Sequence, residues 1–308
     1  MTSDARGWES VAAERAASGG GAARRESRPR LAARRMGRIL RRHPLGLLGA
    51  VLLTAIIAAA ILAPLIAPYR PTEFLPYGPY AEPGPGAVLG TDQLGRDLLT
   101  RILYGGRTSL AIAAVATVLG VGLGAAIGLV SGYLGGRLDL FVQRGMDVMD
   151  AFPSLVLAIL FVAMLGPSAR NVTIAVAFVL IPNTNRVARA VTLSLRRQAF
   201  VEAAAAVGAS PLRVMARHMV PGLLAPLTIV AASAVASTIV TEASLSFLGL
   251  GPPPPTATWG QMLSGEVRQH FVDAPWLAFF PGLVLSLTVF SIAMLGDTLR
   301  DVLDPRTK

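Results

Sequence analysis

The sequence predicts an all-α membrane protein with about six transmembrane helices. Charged residues make up only 15% of its 308 residues and the mean hydropathy is +0.57, whereas soluble domains carry about 25% charged residues. Several long stretches contain no Asp, Glu, Lys or Arg, among them residues 43–69, 108–136 and 218–241. A bilayer core of about 30 Å is crossed by about 20 apolar residues in a helix, and backbone groups in lipid must pair within their own segment. We therefore interpret these stretches as membrane-spanning helices.

Six apolar segments are the expected spans, and the fourth is the least apolar of them. They are residues 45–67, 109–133, 142–165, 172–191, 223–248 and 277–295. Pro153 is expected to bend the third helix, because proline removes a backbone hydrogen bond. Gly120, Gly124 and Gly128 share one face of the second helix. Small residues four apart let helices approach closely in lipid, so this face predicts a close helix–helix contact.

The arginine distribution predicts the topology. Residues 1–44 form a basic, partly disordered tail with eleven Arg against four acidic residues, and a short basic helix is expected at Arg34–Arg42. The loop at residues 192–221 carries four Arg against one acid, while residues 252–273 carry one Arg against two acids. Positive charge accumulates in cytoplasmic segments. We expect both termini and the 192–221 loop in the cytoplasm, with residues 90–97 and 252–255 outside; residues 45–308 form the transmembrane domain.

The sequence shows no constellation of residues for covalent or acid–base catalysis. The chain has no cysteine, and its one lysine is Lys308, so it lacks the lysine of a phosphate-binding P-loop. His43, His218 and His270 lie in different segments, which disfavours a metal site. The basic tail could also bind nucleic acid, but arginines before a first membrane helix are the simpler interpretation. We expect a protein that moves a solute and is not an enzyme, with no cofactor, metal or nucleic acid bound.

The loop at residues 192–221 has the pattern of a helix-turn-helix, and we call it the two-helix loop. A first helix is expected at Gln198–Val207, and Gly208 suits the left-handed position that ends a helix. Ser210 can cap a second helix, and Pro211 occupies the favoured first position. Its apolar side chains are Phe200, Val201, Ala204 and Val207. Such a loop fits a protein-docking surface; the alternative is a hairpin that merely joins two spans.

The two-helix loop carries the clearest family resemblance. Glu202-Ala203-Ala204, three residues, Gly208 and then Pro221 resemble the EAA loop by which bacterial ABC-importer permeases grip their ATPase. The family often has Ile-x-Leu-Pro where this chain has His218-Met219-Val220-Pro221. Segments that are similar to the C-type permease of the dipeptide, oligopeptide and nickel branch are residues 90–97, 104–110, 242–251, 295–297 and 304–306. The resemblance covers about residues 43–306.

This resemblance implies a location and a set of partners. The chain is expected in the bacterial cell membrane, with a B-type permease subunit, two ABC ATPase subunits and an extracytoplasmic substrate-binding protein as partners. ATP and Mg would be bound by the ATPases. The docking residues implied are Glu202, Ala203, Ala204, Gly208, Ala209, Ser210 and Pro211.

Charged residues within the predicted spans are candidates for the pathway or a gate, because they are costly in lipid and usually face a cavity or partner. These are Arg186, Glu242 and Asp150. Glu242 could instead bond to a neighbouring helix, and Arg186 could extend to the inner membrane surface. The expected cargo is a di- or oligopeptide, with nickel or another small solute as the alternative. A stand-alone secondary transporter or channel and a membrane enzyme are the remaining alternatives.

Overall fold

The computed structural model describes residues 44–268, 270 and 272–303. The predicted tail before Pro44, including the expected basic helix Arg34–Arg42, lies outside the described residues, as do residues 304–308. The division into tail and transmembrane domain therefore stays a prediction. Within the described part the chain forms helices and no strand, apart from two isolated bridges in the segment between the first long helices.

The helices follow one another with short connections, except for the segment before α3 and the segments on either side of α10. They are α1 Pro44–Ile61, α2 Ala63–Ile66, α3 Leu98–Leu134, α4 Gly136–Asp150, α5 Ser154–Leu165, α6 Ala169–Arg196, α7 Ala199–Ala206, α8 Pro211–Arg213, α9 Val220–Phe247, α10 Trp259–Met262 and α11 Trp276–Leu303. A π-helical segment, Val214–Met219, joins α8 to α9, and a 3₁₀ turn covers Gly265–Arg268.

Four helical stretches of the described chain are long and apolar enough to cross a membrane: Pro44–Ile61, Leu98–Leu134, Pro211–Phe247 and Trp276–Val302. The all-α membrane class is thereby confirmed. The pair α4 and α5 raises the number to five if it counts as one broken span. Helix α6 is long enough as well, but its asparagines and arginines make it less apolar. The number six therefore stays a prediction.

The third expected span, residues 142–165, is not one helix with a mild bend. It is divided between α4 and α5, whose axes meet at 91°. Pro153 follows the end of α4 with an extended backbone (ψ 131°) and precedes Ser154 at the start of α5. A proline favours an extended residue before it and cannot continue a helix from the previous turn. Helix α4 is amphipathic and has no buried residue, so only α5 enters the apolar bundle.

The second expected span begins earlier than residue 109. Helix α3 starts at Leu98, because Asp97 caps it: its side chain accepts a hydrogen bond from the backbone N–H of Thr100 at 2.7 Å. The first turns of α3 are polar, but Arg101 is buried and its Nε lies 3.1 Å from an oxygen of Asp92. Arg96 bonds the same carboxylate at 2.7–2.8 Å. This network fixes the segment before α3 onto the end of the bundle.

The glycine face of α3 packs against α6, as the sequence predicts. A Cβ atom added to Gly120, Gly124 or Gly128 would lie only 2.5–2.7 Å from a backbone carbonyl oxygen of α6. Real Cβ atoms do not approach carbonyl oxygens so closely, so only glycine at these positions allows the two backbones to come this near. Gly122, on another face, meets nothing within 4 Å. The α3–α6 pair is therefore a close helix contact over three turns, and α6 leads directly into the two-helix loop.

Candidate docking loop and buried charges

Gly208 ends α7 in the left-handed conformation that the sequence predicts, with φ +83°. The N–H of Gly208 donates to the carbonyl of Ala205 at 3.0 Å, and the N–H of Ala209 donates to the carbonyl of Ala204 at 3.1 Å. Together these bonds form a complete Schellman motif. A residue with a Cβ atom is strained at this φ, so the chain reversal after α7 depends on glycine.

The second half of the two-helix loop differs in part from the prediction. Ser210 has the extended backbone of a cap residue, and Pro211 occupies the first helical turn, but the Ser210 side chain makes no capping bond. After α8 the chain forms the π-helical segment Val214–Met219, in which the N–H of Val220 donates to the carbonyl of Met215. Pro221 has no N–H to donate to the previous turn, and this loss explains why the wider helix occurs just before it.

Buried apolar side chains anchor the two-helix loop to the bundle. Val201 of α7, together with Val214 and Met219 of the π-helical segment, packs against Leu129 of α3 and Leu223 of α9. Val214 and Met219 are fully buried. The loop is therefore a packed extension of three long helices, so a rigid displacement of the loop would displace those helices as well.

A second apolar set on the loop lies outside this buried cluster. Phe200, Val207 and Leu212 are exposed, and Val207 is 85% exposed. The predicted apolar side is thus divided, with Val201 facing inward. Between α7 and the π-helical segment lies an open cleft of about 740 Å³. Its walls are formed by Phe200, Ala203, Ala204, Val207, Gly208, Ala209, Arg213, Arg217 and His218. The surface combines apolar and cationic groups, and Glu202 is exposed beside it.

Two Arg–Asp pairs connect α6 to α4. Arg186 of α6 pairs with Asp150 at the end of α4, so the structure brings two of the three pathway candidates together. Arg189, one turn further along α6, makes a bidentate pair with Asp139 at 2.6 and 2.7 Å. Reasoning from the sequence missed this second pair, although Arg186 and Arg189 are three residues apart on one helical face. Such pairs fix the amphipathic helix α4 against the helix that precedes the two-helix loop.

Glu242, the third candidate, lies near the opposite end of the bundle. Its side chain is 0% exposed. One carboxyl oxygen accepts a hydrogen bond from Oγ of Ser246 at 2.7 Å, while Oε2 has no hydrogen-bond partner in the described chain. The hydroxyl groups of Ser109 and Thr258 also face this carboxyl group. The carboxyl group therefore sits where α3, α9 and the segment before α10 meet.

Trp259, the first residue of α10, completes this meeting point. It is almost fully buried; its backbone N–H donates to Oγ of Ser109 at 3.3 Å and its indole N–H donates to the carbonyl of Ile102 at 3.0 Å. The chain before α10 thus folds back into the bundle, an arrangement that sequence reasoning missed. Four prolines at residues 252–255 and the cap residue Thr258 were the available signal of a chain reversal.

The comparisons with known proteins agree with this architecture. Residues 124–308 match the family described as binding-protein-dependent transport system inner membrane component. Residues 32–83 match the N-terminal transmembrane domain of oligopeptide transport permease C. The two matches cover an N-terminal part of the chain and its C-terminal half, and the second of these includes the whole two-helix loop.

Relatives extend over nearly the whole chain. A putative peptide transport system permease protein of Brucella abortus is 43% identical over 271 residues, 88% of this chain and 91% of the relative. The dipeptide transport system permease protein DppC of Alkalihalophilus pseudofirmus is 40% identical over 269 residues, 87% and 88% of the two chains. The glutathione transport system permease protein GsiD of Escherichia coli is 41% identical over 273 residues, 88% and 89% of the two chains.

A solved structure shares the fold. An inward-facing structure of the MetNI methionine ABC transporter aligns with a TM-score of 0.54 and 16% identity over 66% of this chain and 96% of that chain. The fold and the family matches define a helical membrane permease, the subunit of an ABC importer that spans the membrane. The chain belongs to the family of binding-protein-dependent transport system inner membrane components.

Proposed function

We propose that this permease subunit forms half of the translocation pathway for di- or oligopeptides and is driven by a separate ATPase. The names of its relatives refer to peptides, a dipeptide and glutathione, which favours a peptide over nickel as the cargo. A B-type permease subunit would complete the pathway. Two ABC ATPase subunits, with ATP and Mg bound to them, and an extracytoplasmic substrate-binding protein would complete the transporter. The chain itself would contribute no cofactor and no catalytic residue.

The observation that carries the proposal is the division of the two-helix loop into an anchored and a free apolar face. Val201, Val214 and Met219 connect the loop to α3 and α9, while Phe200 and Val207 remain exposed. Exposed apolar groups beside charged ones are typical of an interaction site. A partner bound to the free face would move the long helices as rigid bodies, a common mode of switching.

The docking surface would use the residues of the EAA motif. Glu202, Ala203 and Ala204 present one wall, and Gly208 to Pro211 set the direction of the second helix. Arg213 and Arg217 line the same cleft, so an ATPase surface with apolar and acidic side chains would fit it. In this arrangement Glu202 would contact a polar group of the ATPase at the edge of the interface.

The ion pairs and Glu242 would have supporting roles at the two ends of the bundle. Arg186 with Asp150, and Arg189 with Asp139, would make α4 move together with α6 and the two-helix loop. Glu242 would hold α9 against α3 and Trp259 near the outer end. This location, buried among hydroxyl groups, supports a role in fixing α9 or closing an outer gate more than direct contact with the substrate.

The docking proposal is tested by two substitutions on the two-helix loop. Gly208→Val forces a β-branched residue into positive φ, at a cost of about 1–3 kcal/mol or a rearranged turn. Glu202→Lys reverses a charge at the proposed interface. Both positions are exposed, so membrane insertion should survive. We expect each variant to lose uptake of a labelled dipeptide by the assembled transporter, and to retain less ATPase after purification in mild detergent, at a normal level of permease.

The matched control is Gly122→Val, which places the same side chain in open space on α3 and should leave uptake and ATPase retention unchanged. Full uptake by both loop variants would show that the loop is only a connector.

Purification with two P-loop ATPases would in addition separate the importer from a stand-alone transporter. If the co-purified binding protein selected nickel and not peptides, the proposed cargo would be wrong while the docking proposal would stand.

A further inference from the structure

An apolar groove of about 680 Å³ lies between α1, α3, α9 and α11, separate from the two-helix loop. Its walls are aliphatic almost throughout and include Leu53, Ile57, Leu110, Val235, Ile292 and Leu299. Small residues in the lining, such as Ala114 of α3 and Gly296 of α11, leave space that larger side chains would fill. An aliphatic lining of this kind suits a hydrocarbon chain.

The groove runs along the helix axes, because its lining residues follow one another for about two turns along each of α1, α3 and α11. Near one end, a Cβ atom on Gly106 would lie 3.3 Å from Cβ of Ala60, which places Arg107 level with the end of α1. Near the other end Gly46 contacts Thr298, beside Leu299. The distance between these levels corresponds to a rise of about 21 Å along α1. One leaflet of a bilayer contributes about 15 Å of hydrocarbon, so a lipid chain fits within this length.

Arg107 lines the groove at the first of these ends. It is the last charged residue before the charge-free stretch of α3, and therefore lies at the boundary of the apolar bundle. Its guanidinium group lies 5.9 Å from the ring centre of Tyr104 and has no ion pair in the described part of the chain. Arg96 and Arg101, by contrast, share the carboxylate of Asp92. The groove thus begins at a cation that has no charged partner among the described residues.

We propose that the groove binds one acyl chain of an anionic phospholipid whose headgroup pairs with Arg107. Such a lipid would match both parts of the site. Its acyl chain would lie along the four helices, and its anionic headgroup would lie beside Arg107 at the membrane boundary. An apolar transmembrane helix of another subunit would fill the apolar part but would bring no counter-charge to the guanidinium group. The charge of Arg107 therefore decides between the two occupants in favour of the lipid.

Native mass spectrometry of the purified full-length chain, with phosphatidylglycerol or phosphatidylcholine added, tests this proposal. The unmodified chain should retain phosphatidylglycerol about fivefold better, the factor that one arginine contributes beside an anionic lipid. Arg107→Gln should abolish this preference. Ala114→Phe, which fills the groove, should reduce retention of both lipids. The controls are Arg144→Gln, an exposed arginine of α4, and Val118→Phe, an exposed residue of α3 outside the groove lining; both should behave as the unmodified chain.

Three outcomes would overturn the proposal. The first is equal retention of the two lipids by the unmodified chain, and the second is a preference that Arg107→Gln leaves intact. The third is a cross-link from Ala114→Cys to a second permease subunit, together with release of the lipid on assembly, which would show that the groove is a subunit interface. The first two outcomes depend neither on a partner subunit nor on transport, so the lipid site is tested independently of the proposed function.

Discussion

The carboxyl group of Glu242 bonds to Ser246 of its own helix, so its link to other elements depends on the hydroxyl groups of Ser109 and Thr258. Glu242→Gln keeps the size and an acceptor oxygen, and should leave the subunits assembled while it changes the amount of ATP hydrolysed per peptide transported. Glu242→Ala creates a cavity and leaves buried hydroxyl groups without a partner, and should lower the free energy of unfolding by about 2–4 kcal/mol. Transport, ATPase activity and thermal unfolding measure these effects.

The control for the Glu242 variants is Glu82→Gln, which neutralises an exposed carboxyl group in the segment before α3. It should change neither coupling nor unfolding. If Glu242→Gln also left both rates unchanged, the buried carboxyl group would be a structural residue without a part in coupling.

At the scale of helices, the bidentate pair between Arg189 and Asp139 should hold α4 to α6. The two side chains are 32% and 15% exposed, so solvent weakens the pair, and its loss should cost about 1 kcal/mol. Arg189→Gln should therefore lower the unfolding temperature slightly but reduce coupled transport strongly, because α4 would no longer follow α6. The exchanged pair Arg189→Asp with Asp139→Arg should recover part of the transport.

Arg144 provides the comparison for this pair. It is 76% exposed and lies 3.8 Å from Asp147 on the same helix, so Arg144→Gln removes a charge from α4 without releasing it from α6. This variant should transport normally. Equal losses in Arg144→Gln and Arg189→Gln would mean that transport requires the positive charge of this region, and not the attachment of α4 to α6.

For the whole molecule, the arginine distribution predicts a cytoplasmic two-helix loop and an external segment before α3. The chain has no cysteine, so single cysteines can report the topology. An impermeant thiol reagent applied to intact cells should label Gln93→Cys, and should label Ala205→Cys only after the membrane is opened. Both positions belong to segments outside the bundle, so the substitutions should be tolerated. The reverse labelling pattern would contradict the topology and the docking proposal with it.

Features fixed by neighbouring residues could be predicted from the sequence, and features fixed by distant ones could not. Gly208 ends α7 as expected because the turn depends on four or five residues, and the glycine face of α3 follows from spacing alone. The pair of Arg189 with Asp139, and the insertion of Trp259 beside Ser109, join parts of the chain that are 50 and 150 residues apart. The right-angle break at Pro153 depends on where α4 finds partners, so the proline alone predicted a bend but not its size.

The π-helical segment before Pro221 also determines how far α8 is rotated about the helix axis relative to α9. A π turn holds one residue more than an α turn, and one residue corresponds to about 100° of rotation around the helix axis. The face of α8 that meets a partner is therefore rotated relative to the face of α9 inside the bundle. Removal of Ala216, an exposed residue of this segment, would restore α-helical phase and turn α8, together with the buried Val214, by that angle relative to α9. Val214 and Met219 belong to the same buried cluster with the extra residue in place, so the anchoring of the loop depends on the number of residues between them as well as on their kind.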